Sequence, residues 1–206
     1  MRADFSRRSF LRGSALTTAG ATLLTNTTAL AAKAQTEDGP LLSSLPSLGP
    51  DVVPITLHIN GTTETIRAEP RMTLAEALRG PLGLTGTKIA CNRGACSACT
   101  VWLDGQPVCA CMMLAIDVGE RVITTIEGLA HGDNLHPVQQ AFIDHDALQC
   151  GFCTPGMIMS CAALLEHTGE PTAENVRTAI SGHYCRCGTY PHVIDATLAA
   201  AKAHKA

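Results

Sequence analysis

The sequence predicts an α+β chain in two parts, a strand-rich stretch over residues 54–128 followed by an all-α stretch of about four helices over residues 129–206. Three observations carry this. Asn60-Gly61 and Asp104-Gly105, both hairpin dipeptides, interrupt alternating apolar runs in the first stretch. Beyond Gly128 the pattern turns to helix starts, with Pro137, Pro155, Thr172 and Pro191 each leading an apolar helical spacing. Finally, the ten cysteines fall into two groups, one in each part.

Within the first part, Pro54 to Ala68 alternates Ile55, Leu57 and Ile59 against Thr56 and His58 and turns at Asn60-Gly61, a β-hairpin. Thr73 and Glu76 have the spacing of a capping box ahead of Leu74, Ala77 and Leu78, so a short helix is expected to end near Gly80-Pro81. A second hairpin spans Thr100 to Cys109, and Val122 to Thr125 supplies another strand. In the second part the expected helices carry Val138, Ala141 and Phe142; then Gly156 to Glu166; then Val176 and Ile180; and last Val193, Ile194 and Leu198.

Composition excludes several functions. The chain has 206 residues and is 46% apolar, enough for a packed core rather than disorder. A formal net charge of −3 with 16% charged residues gives neither the basic stripe of a nucleic-acid binder nor an acidic tail. Aromatic residues at 3% cannot build a base-stacking platform.

Residues 1–31 read as a twin-arginine signal. Ser6-Arg7-Arg8-Ser9-Phe10-Leu11-Arg12 precedes a weakly apolar run interrupted by Thr, Gly and Asn, and Ala29-Leu30-Ala31 offers a small-residue cleavage site. The run is too polar for a stable transmembrane helix, so none is expected. A periplasmic location follows as the expectation. Folding before export would let metal occupy the thiolates before they meet an oxidising compartment. Residues 32–53, rich in Pro, Ser, Gly and Leu, read as a linker.

In an exported chain ten cysteines suggest disulfides, whereas intervals of two to five residues suggest metal ligation. Cys91, Cys96 and Cys99 stand as Cys-x4-Cys-x2-Cys with a distant fourth cysteine, the plant-type 2Fe-2S spacing. Three thiolates on one loop converge on two irons only if the backbone folds round them. Gly94, Ala95, Ser97 and Ala98 are small enough to permit that, and their amides can donate to sulfur. The fourth ligand is Cys111 or Cys109; both fall on one face of an extended segment, and period-two geometry does not choose between them.

Other metal readings fit less well. Zinc frameworks favour two Cys-x2-Cys knuckles on separate turns. No Cys-x-His for a Rieske centre and no Cys-x-x-Cys-His for attached haem occurs. Trp102 stands where a bacterial two-cluster ferredoxin has its third cysteine. In the second part Cys150 and Cys153 sit on one helix connection and Cys185 and Cys187 on another, so two helix ends could present two pairs of thiolates to one cluster.

The ordered set of Gly86-Thr87-Lys88, the loop Cys91 to Thr100, Asp104-Gly105 with Pro107, Thr125 to Leu129, His136-Pro137, Gln149 to Gly156, and Ser181-Gly182 leading into Cys185-Arg186-Cys187 resembles the small iron-sulfur subunit of the xanthine dehydrogenase and aldehyde oxidase family. The resemblance runs from about Ile55 to Leu198 and is strongest to periplasmic aldehyde oxidoreductases. It implies an N-terminal β-grasp plant-type ferredoxin domain over 54–128 and a four-helix-bundle 2Fe-2S domain over 129–206. It implies Cys91, Cys96, Cys99 and Cys111 as ligands of one cluster and Cys150, Cys153, Cys185 and Cys187 as ligands of the other.

Gln149 and Cys187 would then neighbour a molybdenum-pterin of the cytosine dinucleotide type in a large partner subunit. Electrons would pass from molybdenum through the helical cluster and the plant-type cluster to FAD in a medium subunit. Asn92 and Ser97 depart from the family's usual glycines, which predicts less strained loop dihedrals, and His183-Tyr184 replaces the usual Asn-Leu. Cys109 and Cys161 are expected to be small buried apolar residues, and His136 a helix-start residue. No catalytic residue is expected on this chain, since neither a nucleotide-binding glycine motif nor a nucleophile–base set can be picked out. The competing functions are a free-standing two-cluster carrier and a zinc-stabilised binding module.

Overall fold

In the computed structural model residues 50–203 are described; the signal and most of the linker assigned above lie outside them. Strands β1 (Val53–Ile59) and β2 (Thr62–Ala68) form the first hairpin, paired in antiparallel register from Val53 with Ala68 to Ile59 with Thr62. Its turn residues Asn60 and Gly61 have φ of 50° and 81°, the left-handed pair that a tight hairpin turn demands and that Asn-Gly supplies. Helix α1 (Leu74–Arg79) follows, with Thr73 and Glu76 closing the capping box in both directions and Gly80 as its C-cap.

Strands β3 (Thr100–Leu103) and β4 (Gln106–Cys109) form the second hairpin about Asp104-Gly105, and β5 (Val122–Thr124) completes a five-stranded sheet in the order β2-β1-β5-β3-β4. The pairing of β1 with β5 is parallel and the rest antiparallel, so the sheet is mixed. Leu57, Ile59, Val101 and Ile123 cover α1 through Leu74, Ala75, Ala77 and Leu78, all buried. That core anchors both ends of the cysteine loop that runs from α1 to β3.

Four helices follow: α2 (Pro137–Asp144), α3 (Thr154–His167), α4 (Ala173–Ala179) and α5 (Tyr190–Ala203). His136 caps α2, its Nδ1 accepting from the Val138 amide at 3.2 Å while Gln139 Oε1 accepts from the His136 amide at 2.9 Å. Thr172 and Asn175 form the same reciprocal cap on α4. Helix α3 is buried nearly all round, and Met157, Met159 and Cys161 pack with Val138, Phe142, Val176 and Val193 in one apolar core.

The strand-rich and helical parts belong to one compact unit. Trp102 on β3 donates from Nε1 to the Met159 carbonyl oxygen of α3 at 2.8 Å. The connection is fixed by Thr125 and Asn60, whose amide and side-chain groups bond reciprocally at 2.9 and 3.0 Å. Glu127 accepts from the Gly86 amide at 2.7 Å and from the Thr125 hydroxyl at 2.6 Å. A side chain at Gly86 would collide with Ile126 and Glu127, which explains a glycine there. Among the described residues no helix is long and apolar enough to cross a membrane.

Candidate functional site

The loop between α1 and β3 turns through three residues with left-handed backbone, Asn92 at φ 50°, Gly94 at 70° and Ser97 at 54°. The expectation that Asn92 and Ser97 relax this loop is therefore incorrect. The tight return of the chain imposes the left-handed region whatever residue occupies it; Asn92 tolerates it through its short polar side chain, and Ser97 there costs about 1–2 kcal/mol. Gly94 is required twice over, because a Cβ there would also lie 2.8 Å from Met112.

Folding the loop this way points backbone amides at sulfur. Arg93 and Ala95 donate to Cys91 Sγ at 3.4 and 3.3 Å, and Gly94 donates to Cys111 Sγ at 3.3 Å. The thiols are neighbours in pairs, Cys91 with Cys96 and Cys99 with Cys111. The Arg93 amide, opposed by modest desolvation, brings the Cys91 thiol down to about 7. Burial, reinforced by the adjoining Cys111 sulfur, pushes Cys99 up to about 12.

Cys109 and Cys111 do not share a strand face. Strand β4 ends at Cys109, and Ala110–Met112 is a 3-10 turn, so the two-residue alternation assumed for an extended segment stops between them. Cys111 turns inward and is buried beside Cys99, whereas Cys109 is only half-buried, more exposed than a core residue would be. Its Sγ lies 3.9 Å from Ser97 Oγ and 4.0 Å from the Gly94 carbonyl oxygen.

The second thiol group forms where two connections meet. Cys153 is the N-cap of α3, and Cys185 and Cys187 lie on the loop between α4 and α5. Cys153 neighbours Cys185 and Cys150. Desolvation, the largest influence, and the Cys185 sulfur push Cys153 up to about 12. At Cys185 desolvation is outweighed by hydrogen bonds from Thr189, Cys153 and the Gly188 amide, and the thiol falls to about 7; Thr189 Oγ1 lies 3.4 Å from its Sγ. Cys150 and Gln149 are exposed and Cys187 half-buried. Phe152 and Tyr184, 48% and 68% exposed, project from the same two connections.

Among the described residues all ten cysteines are free thiols, and no group of three or more His, Cys, Asp or Glu side chains is gathered as the ligand set of one metal ion. Backbone amides aimed at cysteine sulfur suit a cluster in which four cysteines serve two irons. Cys161 is apart from both groups: it is fully buried in α3, and burial raises its thiol to about 12.

One feature escaped sequence reading, the contact between the two groups. The Tyr184 amide donates to the Cys96 carbonyl oxygen at 3.3 Å. A Cβ on Gly156 would collide with the Ser97 carbonyl oxygen, and one on Gly182 would lie 3.1 Å from Ser97 Oγ. His183 is buried behind this contact, its Nε2 2.7 Å from Ser160 Oγ, and burial lowers the ring to about 4. The glycines beside cysteine motifs were visible in the sequence, but not what they approach.

Two 2Fe-2S domain models match the chain, the 2Fe-2S iron-sulfur cluster binding domain over residues 57–122 and the [2Fe-2S] binding domain over residues 125–198. The chain belongs to the family of iron-sulfur small subunits of aldehyde oxidoreductases and related molybdenum hydroxylases. It is 39% identical to the aldehyde oxidoreductase iron-sulfur-binding subunit PaoA of Escherichia coli O157:H7, over 94% of this chain and 86% of that one. The nicotine 6-hydroxylase small subunit of Paenarthrobacter nicotinovorans is 45% identical over 72% of this chain and 89% of its own length. Among solved structures, quinoline 2-oxidoreductase from Pseudomonas putida 86 superposes with a TM-score of 0.73 at 43% identity, covering 75% of this chain and 97% of that chain.

Proposed function

We propose that this chain is the electron-transfer subunit of a molybdenum-dependent aldehyde oxidoreductase or hydroxylase and holds two 2Fe-2S clusters. Residues 54–128 form a β-grasp plant-type ferredoxin domain that binds one cluster through Cys91, Cys96, Cys99 and Cys111. Residues 129–206 form a four-helix-bundle domain that binds the other through Cys150, Cys153, Cys185 and Cys187. Each cluster, when bound, takes up and releases one electron. The observation that carries the reading is the set of loop amides, of Arg93, Gly94 and Ala95, that already point at the sulfurs of Cys91 and Cys111. Such donors stabilise thiolate and need no rearrangement when metal binds.

The chain receives electrons at its helical site and gives them up at its plant-type site. Exposure supports this orientation. Cys150, Gln149, Phe152 and Tyr184 open the helical site outward, where a large subunit holding a molybdenum-pterin of the cytosine dinucleotide type would bring that group to Gln149 and Cys187. Cys96, Cys99 and Cys111 are buried, and the Tyr184–Cys96 hydrogen bond joins their loop to the residue next to Cys185. A medium FAD subunit, or another acceptor, would take electrons from the plant-type side.

A free-standing carrier would need neither Gln149 nor the exposed aromatic pair. Copurification separates the two readings: capture of the chain from its own cell should bring a large molybdenum-containing subunit in stoichiometric amount, and a chain that emerges alone with both clusters is a free carrier. The twin-arginine motif at Arg7 and Arg8 supports a periplasmic location for the assembled complex.

A further inference from the structure

Cys185 is held at two points by the residues that open α5. Its backbone amide donates to the Tyr190 hydroxyl at 2.8 Å, and that hydroxyl donates in turn to the His183 carbonyl oxygen at 3.0 Å, so the loop is pinned on both sides of Tyr184. Its sulfur lies 3.4 Å from Thr189 Oγ1. Gly188, at φ 78°, reverses the chain between them, a turn that favours glycine.

Thr189 stands in the capping place of α5, and its carbonyl oxygen accepts from the Val193 amide at 3.0 Å. A threonine hydroxyl in that place ordinarily accepts from the second or third amide of its helix. Here the second helical residue is Pro191, which has no N–H, and the hydroxyl of this buried side chain is paired with sulfur instead. The plant-type site is built differently. Among the described residues, the sulfurs of Cys91 and Cys111 take their donors from backbone amides, and Thr189 is the one side-chain hydroxyl set against a cysteine assigned to either cluster. A free thiol could donate or accept in this pair, but a cysteine bound to iron has given up its proton and only accepts, which makes Thr189 the donor.

We infer that Thr189 is a positioning residue that raises the reduction potential of the helical cluster through its hydrogen bond to Cys185. A donor on a ligand sulfur favours the state in which that sulfur carries more negative charge, which is the reduced one. No bond forms or breaks: one electron arrives from the partner subunit, and the hydroxyl keeps its proton. A raised potential at the site where electrons enter favours their transfer into this chain. The inference rests on the proposed function, with Cys185 a ligand of the helical cluster.

Redox titration of the full chain carrying both clusters, followed by low-temperature electron paramagnetic resonance, reads the two potentials separately and makes the plant-type signal the internal control. In Thr189→Val, which keeps the shape and removes the hydroxyl, the ratio of reduced to oxidised helical cluster at a fixed potential should fall about tenfold, a downward shift of about 59 mV for a one-electron couple, with the plant-type potential unmoved. Thr189→Ser should keep the wild-type value. A wild-type helical potential in Thr189→Val, even in a less stable chain, overturns the inference, and so does an equal shift of both clusters. Should Thr189→Val fail to hold the helical cluster, Thr189→Ala and Thr189→Ser carry the same comparison, and equal potentials in those two overturn the inference. Should neither hydroxyl-free variant hold it, a wild-type potential in Thr189→Ser sustains the inference and a lowered one overturns it. The ligand assignment beneath it fails by a different result, a Cys185→Ala chain that keeps the helical signal and all of its iron.

Discussion

The backbone amide of Tyr184 donates to the carbonyl oxygen of Cys96 at 3.3 Å, and this one hydrogen bond connects the two cysteine loops. Cys96 belongs to the plant-type loop, and Tyr184 immediately precedes Cys185 of the helical one. Few covalent bonds and a single hydrogen bond therefore separate a thiol of one group from a thiol of the other. Gly156 and Gly182 let the loops come this close.

Replacing Gly156 by Ala should test the contact. The added methyl meets the Ser97 carbonyl oxygen and the Ala98 backbone, which cannot swing aside as a flexible side chain would. Overpacking of this kind costs about 1–3 kcal/mol, to be read as a lower denaturant midpoint with unchanged slope. Both clusters should be retained, and electron exchange between them, followed by rapid freeze-quench, should slow.

Single ligand variants should separate the two sites. Cys96→Ala is expected to lose the plant-type cluster and keep the helical one, and Cys153→Ala the reverse, because each half packs its own core around its own thiols. Cys161→Ser should keep all the iron. It buries a hydroxyl where the side chain is fully enclosed, and a loss of stability of about 1–3 kcal/mol is expected in thermal or denaturant unfolding.

Ser160→Ala should destabilise through His183 rather than through its own volume. The Nδ1 atom of His183 is already buried without a hydrogen-bond partner, and removing the Ser160 hydroxyl would leave Nε2 in the same condition. A loss of about 1–3 kcal/mol is expected at neutral pH, while iron content stays unchanged.

Lysine at both Arg7 and Arg8 should leave folded, cluster-loaded protein in the cytoplasm, since the paired arginines act as an address and lie far from the core in sequence. Cell fractionation with visible spectra of each fraction reads the outcome; efficient export of the variant would mean another route.

Local chemistry made much of the fold legible. Asn60-Gly61 and Asp104-Gly105 name their turns because only such residues readily take two successive positive φ angles, and both do so here. Thr73 with Glu76 named a helix start for the same kind of local reason. What escaped the sequence was non-local. The parallel pairing of β1 with β5 and the bond from Trp102 to Met159 depend on partners tens of residues away. The placement of Cys109 and Cys111 escaped because extended backbone stops at Cys109, two residues short of the Cys111 to which its alternation was carried. Asn92 and Ser97 were read from residue type, but closure of the loop dictates their dihedrals.

The order of electron flow has a direct consequence for the complex. With Cys96→Ser, substrate of the large subunit should still reduce the helical cluster in a single turnover while the flavin or external acceptor is reduced much more slowly. With Cys153→Ser neither cluster should be reduced by substrate, although dithionite still reduces the plant-type one.

A two-cluster electron-transfer subunit is tested most directly by the number and kind of metal centres in one chain. Spin quantitation by electron paramagnetic resonance on the dithionite-reduced protein, beside its iron analysis, is expected to show two distinct signals of one spin each and four irons per chain. A single signal, or a folded chain carrying zinc and no visible absorption, would contradict it.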